Sequence, residues 1–319
     1  MKQKSIIWNV TRACPWNCKF CCTAATYIPH FEKNNQQKCE EYRYKNELSF
    51  REKIEIIGQM QKGDFKIDFS GGELFIDPLN TDLILCASEK LGSDNIGVSA
   101  SGAFVTDDLV KVLKNKINDF EITVDCIPFR HCGSRPVGYH EYAQNAIIKL
   151  KENGIKVGIQ TVLTNENIDR KSLSSLFQWA ESLEIDGWSL LRFFPVGRGK
   201  KFPQLMPSFE HYCAAVDFIK EMSKHTKMEV HFQYLLPNHP GYTLDCRAVK
   251  KSFGILPDGL VIGCFWCLDE NMNPQNKEFV LGNLSEENLY SILKNANSKK
   301  WMGNTICPFF KYSDLEKVI

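Results

Sequence analysis

The stretch KSIIWNVTRACPWNCKFC, residues 4–21, runs an apolar segment into three cysteines spaced Cys14-x3-Cys18-x2-Cys21. Ile6, Ile7, Trp8 and Val10 are β-branched or aromatic, and the run has strand length, which predicts a first strand ending near Thr11. Thiolates at the exit of a strand point to a metal. A [4Fe–4S] cube normally takes four protein thiolates, so three leave one iron open to chemistry. Two other readings compete: a zinc loop, or three cysteines buried as small hydrophobes. Zinc sites usually pair their cysteines in twos, and a lone triplet at this spacing suits them poorly.

Downstream, KIDFSGGELFIDP spans residues 66–78 and reads as a second strand running into Gly71-Gly72-Glu73. The two glycines let the backbone approach another group closely, and Glu73 offers a carboxylate to a cation. Strand-like and helix-like segments then alternate. NIGVSASG, DFEITVDC, KVGIQTVL and GWSLLRFFP predict four more strands, with MEVHFQYL a seventh candidate. The intervening SFREKIEIIGQMQK, LNTDLILCASEKLG, TDDLVKVLKNK, GYHEYAQNAIIKLKENG, SLSSLFQWAESL and FEHYCAAVDFIKEMSKH carry helical periodicity. Such βα alternation demands parallel strands with right-handed crossovers. The predicted fold class is α/β. Ligands then gather at the strand C-terminal ends, where Cys14 to Cys21, Gly71 to Glu73, Ser99 to Gly102, Asp125 and Cys126 all fall. Residues 24–48 form a polar insertion containing Tyr27, Tyr42 and Tyr44, expected as a functional or solvated loop.

Composition narrows the class. With 319 residues, 43% apolar and 24% charged, the chain can bury a sizeable core. A net charge of +1 gives no basic field, so nucleic acid is not indicated. No apolar run reaches the roughly 18 residues of a membrane span, and the first ten residues are too short and polar for a secretory signal. Thirteen cysteines without an export signal are expected to be metal ligands in a reducing, cytoplasmic setting.

The cysteine loop and the Gly-Gly-Glu segment together resemble the radical SAM superfamily, with Leu74 where that family more often has proline. The resemblance implies a partial (β/α)6 TIM-like barrel over residues 1–236. It further implies a [4Fe–4S] cluster on Cys14, Cys18 and Cys21, and S-adenosylmethionine chelating the open iron with its ammonium at Glu73. On family geometry Gly71, Gly72, Phe20, Ser99 and Ser101 join Glu73 as cofactor contacts, the serines toward the ribose. Val162, Leu163 and Phe194 to Val196 line the adenosine pocket or barrel top. Phe20 and the serines equally read as core and turn residues. An electron donor such as flavodoxin or ferredoxin is implied as a partner.

Cysteines return near the C-terminus. In CRAVKKSFGILPDGLVIGC, Cys246 and Cys264 flank a hairpin turned at Asp258-Gly259. The spacing Cys246-x12-Gly259-x4-Cys264 resembles the opening of SPASM and twitch extensions. That implies a small hairpin and cysteine-rich domain over residues 237–319, holding a second, auxiliary [4Fe–4S] cluster on Cys246, Cys264, Cys267 and Cys307. Zinc is the competing reading there.

The resemblance implies reductive cleavage of S-adenosylmethionine to a 5′-deoxyadenosyl radical that takes hydrogen from a substrate. A peptide is the first expectation, giving oxidation, cross-linking or epimerisation during ribosomal peptide maturation. The alternatives are dehydrogenation of a sugar-like small molecule, or a non-catalytic metal-binding protein. With the first strand expected from about residue 4, no peptide-clasping segment is expected ahead of it, which weakens the peptide expectation without reversing it. Cys126 and Cys132, near the fourth strand end, are the candidate catalytic thiols for returning hydrogen. Cys22, Cys39, Cys86 and Cys213 stand outside these sets, and Cys86 and Cys213 fall in predicted helices.

Overall fold

The computed structural model describes residues 3–29, 41, 47–128, 130, 132–233, 236 and 247–303. Cys39, Tyr42, Tyr44, Cys246 and Cys307 lie outside the described residues.

The strands are β1 (Lys4–Thr11), β2 (Ala13–Cys14), β3 (Thr26–Tyr27), β4 (Phe65–Gly71), β5 (Ile96–Ala100) and β6 (Asp119–Thr123). They continue with β7 (Val157–Leu163), β8 (Gly187–Arg192), β9 (Glu229–Phe232), β10 (Ser252–Ile255), β11 (Leu260–Ile262) and β12 (Val280–Asn283). The helices are α1 (Phe50–Met60), α2 (Leu79–Leu91), α3 (Asp107–Leu113), α4 (Tyr139–Glu152), α5 (Arg170–Ser182), α6 (Phe209–Met222), α7 (Leu289–Lys294) and α8 (Ala296–Met302). Polar caps start four of them: Ser49, Thr106, Asp169 and Ser208 each accept a first-turn backbone N–H.

One sheet runs β12-β11-β10-β1-β4-β5-β6-β7-β8-β9. From β1 through β9 every neighbour is parallel, so the expected (β/α)6 partial barrel is present with EVHF, Glu229–Phe232, added as a seventh strand. The sheet is open, ending at β9 and β12.

Burial separates the two faces of the sheet. Along β4, β6, β7 and β8 one face is buried and the other only partly covered or exposed. The buried face, with Phe69, Phe120 and Trp188, packs toward the helices, as the Trp188–Phe177 contact onto α5 shows. The inner face is polar: Gln160 and Ser189 both hydrogen-bond Glu121 across three strands. A closed barrel fills this space with branched apolar side chains. Here Asp68 occupies it, its carboxyl pushed up to about 7 by desolvation and then by Glu121 and Asp119.

The predicted C-terminal hairpin forms, with Gly259 at φ +86° in its turn. It does not form a separate sheet. β10 lies parallel to β1, pairing Ser5 to Trp8 with Ser252 to Ile255. Among the described residues no helix is long and apolar enough to cross a membrane.

Candidate active site

β1 delivers the cysteine loop to the C-terminal end of the sheet. β2 and β3 pair in parallel across it, and Ile28 donates its N–H to the Cys14 carbonyl at 2.8 Å. Cys14 and Cys18 are buried and Cys21 is half-buried. The other two thiols are electrostatic neighbours of Cys14, whose pKa is raised by burial first and then by Glu73, Cys18 and Cys21. Among the described residues no three acidic, His or Cys side chains converge on a point suited to a single metal ion.

The loop is clamped from distant parts of the chain. Arg198 donates its backbone N–H to the Cys21 carbonyl (3.0 Å) and its Nε to the Cys18 carbonyl (2.9 Å), and its Nη1 reaches the Ala25 carbonyl. Lys19 donates to the Ser134 carbonyl at 3.0 Å. On the strand side, Glu47 accepts from Thr11 Oγ1 (2.8 Å) and the Arg12 N–H (2.9 Å). Ala24 packs into an apolar cluster with Leu256, Ile262, Leu268 and Met272, which joins the loop to the C-terminal hairpin.

Gly71 and Gly72 do what the sequence suggests. Gly72 donates to the Thr11 carbonyl and Glu73 to the Ala13 carbonyl, both at 2.8 Å. A Cβ on Gly72 would stand 2.7 Å from the Arg12 carbonyl oxygen and nearer still to that of Ala13. Only glycine lets the end of β4 lie against the cysteine loop. Glu73 is thereby fully buried. Its Oε2 accepts the Ser101 N–H at 3.0 Å and the Ser101 hydroxyl, which itself accepts from Trp16 Nε1 at 2.8 Å. Its Oε1 is buried without a partner. Leaving such an acceptor unpaired costs about 1–3 kcal/mol or more, and burial raises the Glu73 pKa, opposed by the Ser101 hydrogen bonds and then by the Phe75 backbone N–H near the carboxylate. A cationic group fits the open oxygen.

The predicted cofactor contacts divide. Ser101 spends its hydroxyl on Glu73 and Trp16. Ser99 lies half-buried between buried Val98 and Ala100, placing it on the inner face of β5. Phe20 packs edge-on against Phe193 (6.1 Å) and beside Leu205. Val162 edges that same cluster, while Leu163, Phe194 and Val196 are buried in the main core.

Arg135 escaped the sequence reading. It stands on the loop before α4, with Nε on Asp125 Oδ2 at 2.5 Å and Nη1 donating to Cys18 Sγ at 3.3 Å. Its guanidinium lies 4.5 Å from the Phe20 ring centre and 4.6 Å from that of Tyr139. Burial opposes its charge, but Asp125 and other neighbours more than compensate and hold its pKa raised. Asp125 is positioned in turn by the Val162 N–H at 2.8 Å. The SRP run offered no spacing signal, since the partner cysteine is 117 residues away.

Cys126 and Cys132 come together after β6. Cys126 Sγ lies 3.5 Å from His140 Nδ1 and 3.1 Å from the Arg130 carbonyl, and Cys132 Sγ lies 3.3 Å from Glu166 Oε2. The Cys126 pKa is lowered to about 6, first by its interaction with Cys132, with His140 adding to it against burial.

Of the proposed auxiliary ligands, the structure describes Cys264 and Cys267. They flank a short 3-10 turn, and their side chains are hydrogen-bonded neighbours, which lowers the Cys264 pKa. Trp266 between them stacks on Phe194 at 4.6 Å. Phe194 belongs to the segment that ends in Gly197 and Arg198 against the first cysteine loop. One loop after β8 thus touches both cysteine groups.

Comparison with known proteins agrees with this geometry. The family model described as the radical SAM superfamily matches residues 8–175, just over half the chain. A model described as an iron–sulfur cluster-binding domain, SPASM, matches residues 246–315. The chain is 26% identical to the Fe-coproporphyrin III synthase of Methanosarcina barkeri, over 70% of this chain and 52% of that protein. It is 25% identical to the AdoMet-dependent heme synthase of Oleidesulfovibrio alaskensis, over 79% and 61%. It therefore spans between half and two thirds of these relatives' length. Among solved structures, Streptococcus suis SuiB bound to precursor peptide SuiA superposes with TM-score 0.69 at 14% identity, over 94% of this chain and 66% of that one.

Proposed function

Since the chain belongs to the radical SAM superfamily and carries a SPASM iron–sulfur domain, we propose that Glu73 and Arg135 hold the two charges of the S-adenosylmethionine amino-acid end. The single observation behind this reading is the buried, unpartnered Oε1 of Glu73 beside the cysteine loop. It suits the ammonium, while the Arg135 guanidinium against Cys18 suits the carboxylate.

Cys14, Cys18 and Cys21 would hold the cofactor's [4Fe–4S] cluster, and Cys264 and Cys267 half of the auxiliary one. When bound, the first cluster supplies the electron that cleaves S-adenosylmethionine to methionine and a 5′-deoxyadenosyl radical. The protein's own part is positioning. Gly72 and Glu73 dock on Thr11 and Ala13, Arg198 fixes the loop carbonyls, and Trp16 orients Ser101 on Glu73. Ser99, on the inner face, remains a proposed ribose contact, and Phe20 a proposed wall of the adenosine site.

For the substrate, the relatives in sequence favour a tetrapyrrole, because their names are those of heme, coproporphyrin and pre-heme d1 synthases at 25–27% identity. The expected peptide is the second reading. What favours it is the likeness to SuiB, solved with its precursor peptide, although that likeness is one of fold. We favour oxidation of the substrate radical over return of hydrogen, with Cys126 and Cys132 as the donors in the second case. The test is anaerobic incubation with reductant, S-adenosylmethionine and either iron coproporphyrin III or a candidate peptide. Porphyrin-stimulated 5′-deoxyadenosine with loss of mass from the porphyrin supports the first reading. Stimulation by the peptide alone supports the second.

A further inference from the structure

We propose that Cys126 and Cys132 are a thiol pair that closes into a reversible disulfide, a modification site separate from both sets of cluster ligands.

The fold sets the pair up for thiol–disulfide exchange. Both side chains are buried in the loop after β6, six positions apart, and lie close enough for the two thiols to interact. His140 Nε2 accepts the Asp125 backbone N–H at 3.2 Å. That contact leaves the ring proton on Nδ1 of the neutral imidazole, which is the atom 3.5 Å from Cys126 Sγ. A donor aimed at the sulfur favours the thiolate, the nucleophilic form, and acts against the Arg130 carbonyl, to which the protonated thiol donates at 3.1 Å. Cys132 faces an acceptor instead. Glu166 Oε2, 3.3 Å from its sulfur, also takes the Ser134 N–H (3.0 Å) and hydroxyl (2.7 Å) and so is fixed in place. The Cys126 interaction, and then burial, push the Cys132 thiol up. One sulfur is prepared to attack and the other to follow.

The chemistry balances with a low-molecular-weight disulfide as oxidant. The Cys126 thiolate attacks one sulfur of that disulfide, the S–S bond breaks, and one equivalent of thiolate leaves. Cys132 gives its proton to Glu166 and attacks Cys126 Sγ, forming the protein disulfide and releasing the second thiolate. Starting from one thiolate and one thiol, the pair loses two electrons and one proton, which Glu166 passes on to a released thiolate, and the small disulfide becomes one thiol and one thiolate. The ring so closed begins beside Asp125, which grips Arg135 against Cys18. The redox state of the pair therefore lies two contacts from the first cysteine loop.

The experiment reads covalent state and needs no turnover, so it stands apart from the substrate question. Full-length protein with reconstituted clusters is exposed anaerobically to oxidised glutathione, alkylated and digested with trypsin, which cuts after Arg130. Expected is a cross-linked species joining Ile117–Arg130 to His131–Lys149, about two mass units below the sum of the free peptides, and split by dithiothreitol. In Cys132→Ser, Cys126 should instead accumulate as a mixed disulfide with glutathione. Recovery of both peptides singly alkylated from the wild type, or of Cys126 without an adduct in the variant, overturns the proposal.

Discussion

Gly197 lies directly against Cys21: a Cβ built on it would stand 2.5 Å from the Cys21 carbonyl oxygen, at a φ of +55°. The loop after β8 thus touches the first metal loop backbone to backbone. Gly197→Ala must push the two apart, and a non-glycine residue at positive φ adds strain of order 1–3 kcal/mol. The expected result is a folded protein, by circular dichroism, that loses about four irons per chain. Full iron retention would show that the contact is dispensable.

Glu73→Gln keeps the size of the side chain and removes its charge. A hydrogen bond to a charged group contributes about 1.5–3 kcal/mol, so affinity for S-adenosylmethionine should fall roughly 10–150-fold. Calorimetric titration of the reconstituted protein measures this. An unchanged dissociation constant would mean that the open Oε1 faces something else.

Arg135→Gln removes a cation that donates to the sulfur of Cys18. Positive charge and hydrogen bonds at ligand sulfurs favour the reduced cluster, so the variant's potential should become more negative. The shift is roughly 60 mV for each 1.4 kcal/mol of preferential stabilisation lost. Potentiometric titration followed by EPR reads it, and an unaltered potential would confine Arg135 to packing.

Replacing Cys264 and Cys267 together by Ala should remove about four irons and leave about four. Iron unchanged in this variant, or zinc in the wild type by elemental analysis, would contradict the auxiliary cluster.

Cys126 should alkylate with a pH midpoint of about 6. The groups facing it are Cys132, His140 and Asp125, with Glu166 behind Cys132. A folded-state pKa below that of a free thiol means the thiolate persists down to the midpoint and is lost below it. Rates measured by mass spectrometry across pH test this. A midpoint near 8.5, that of a free thiol, would contradict it.

The features readable in the sequence are those written locally. The Cys14–Cys18–Cys21 spacing, the Gly71–Gly72–Glu73 turn and the periodicity of the βα units each lie within a few residues. What escaped is what the sheet assembles from afar. Arg198 and Arg135 reach Cys18 across 180 and 117 residues, and neither sits in a pattern that marks it. The Asp258-Gly259 hairpin was legible as a turn, but not its docking beside β1, because parallel pairing of Ser5 with Ser252 leaves no local signal. Ser101 was read as a ribose contact from its strand-end position, and the structure shows its hydroxyl engaged by Glu73 and Trp16.

The most direct test of the account is 5′-deoxyadenosine formation from S-adenosylmethionine under anaerobic reduction, in the wild type and in a variant with Cys14, Cys18 and Cys21 all changed to Ala. The account predicts release by the wild type and none above background by the variant, which should still keep about four irons in its auxiliary site. Cleavage persisting in the variant would contradict it.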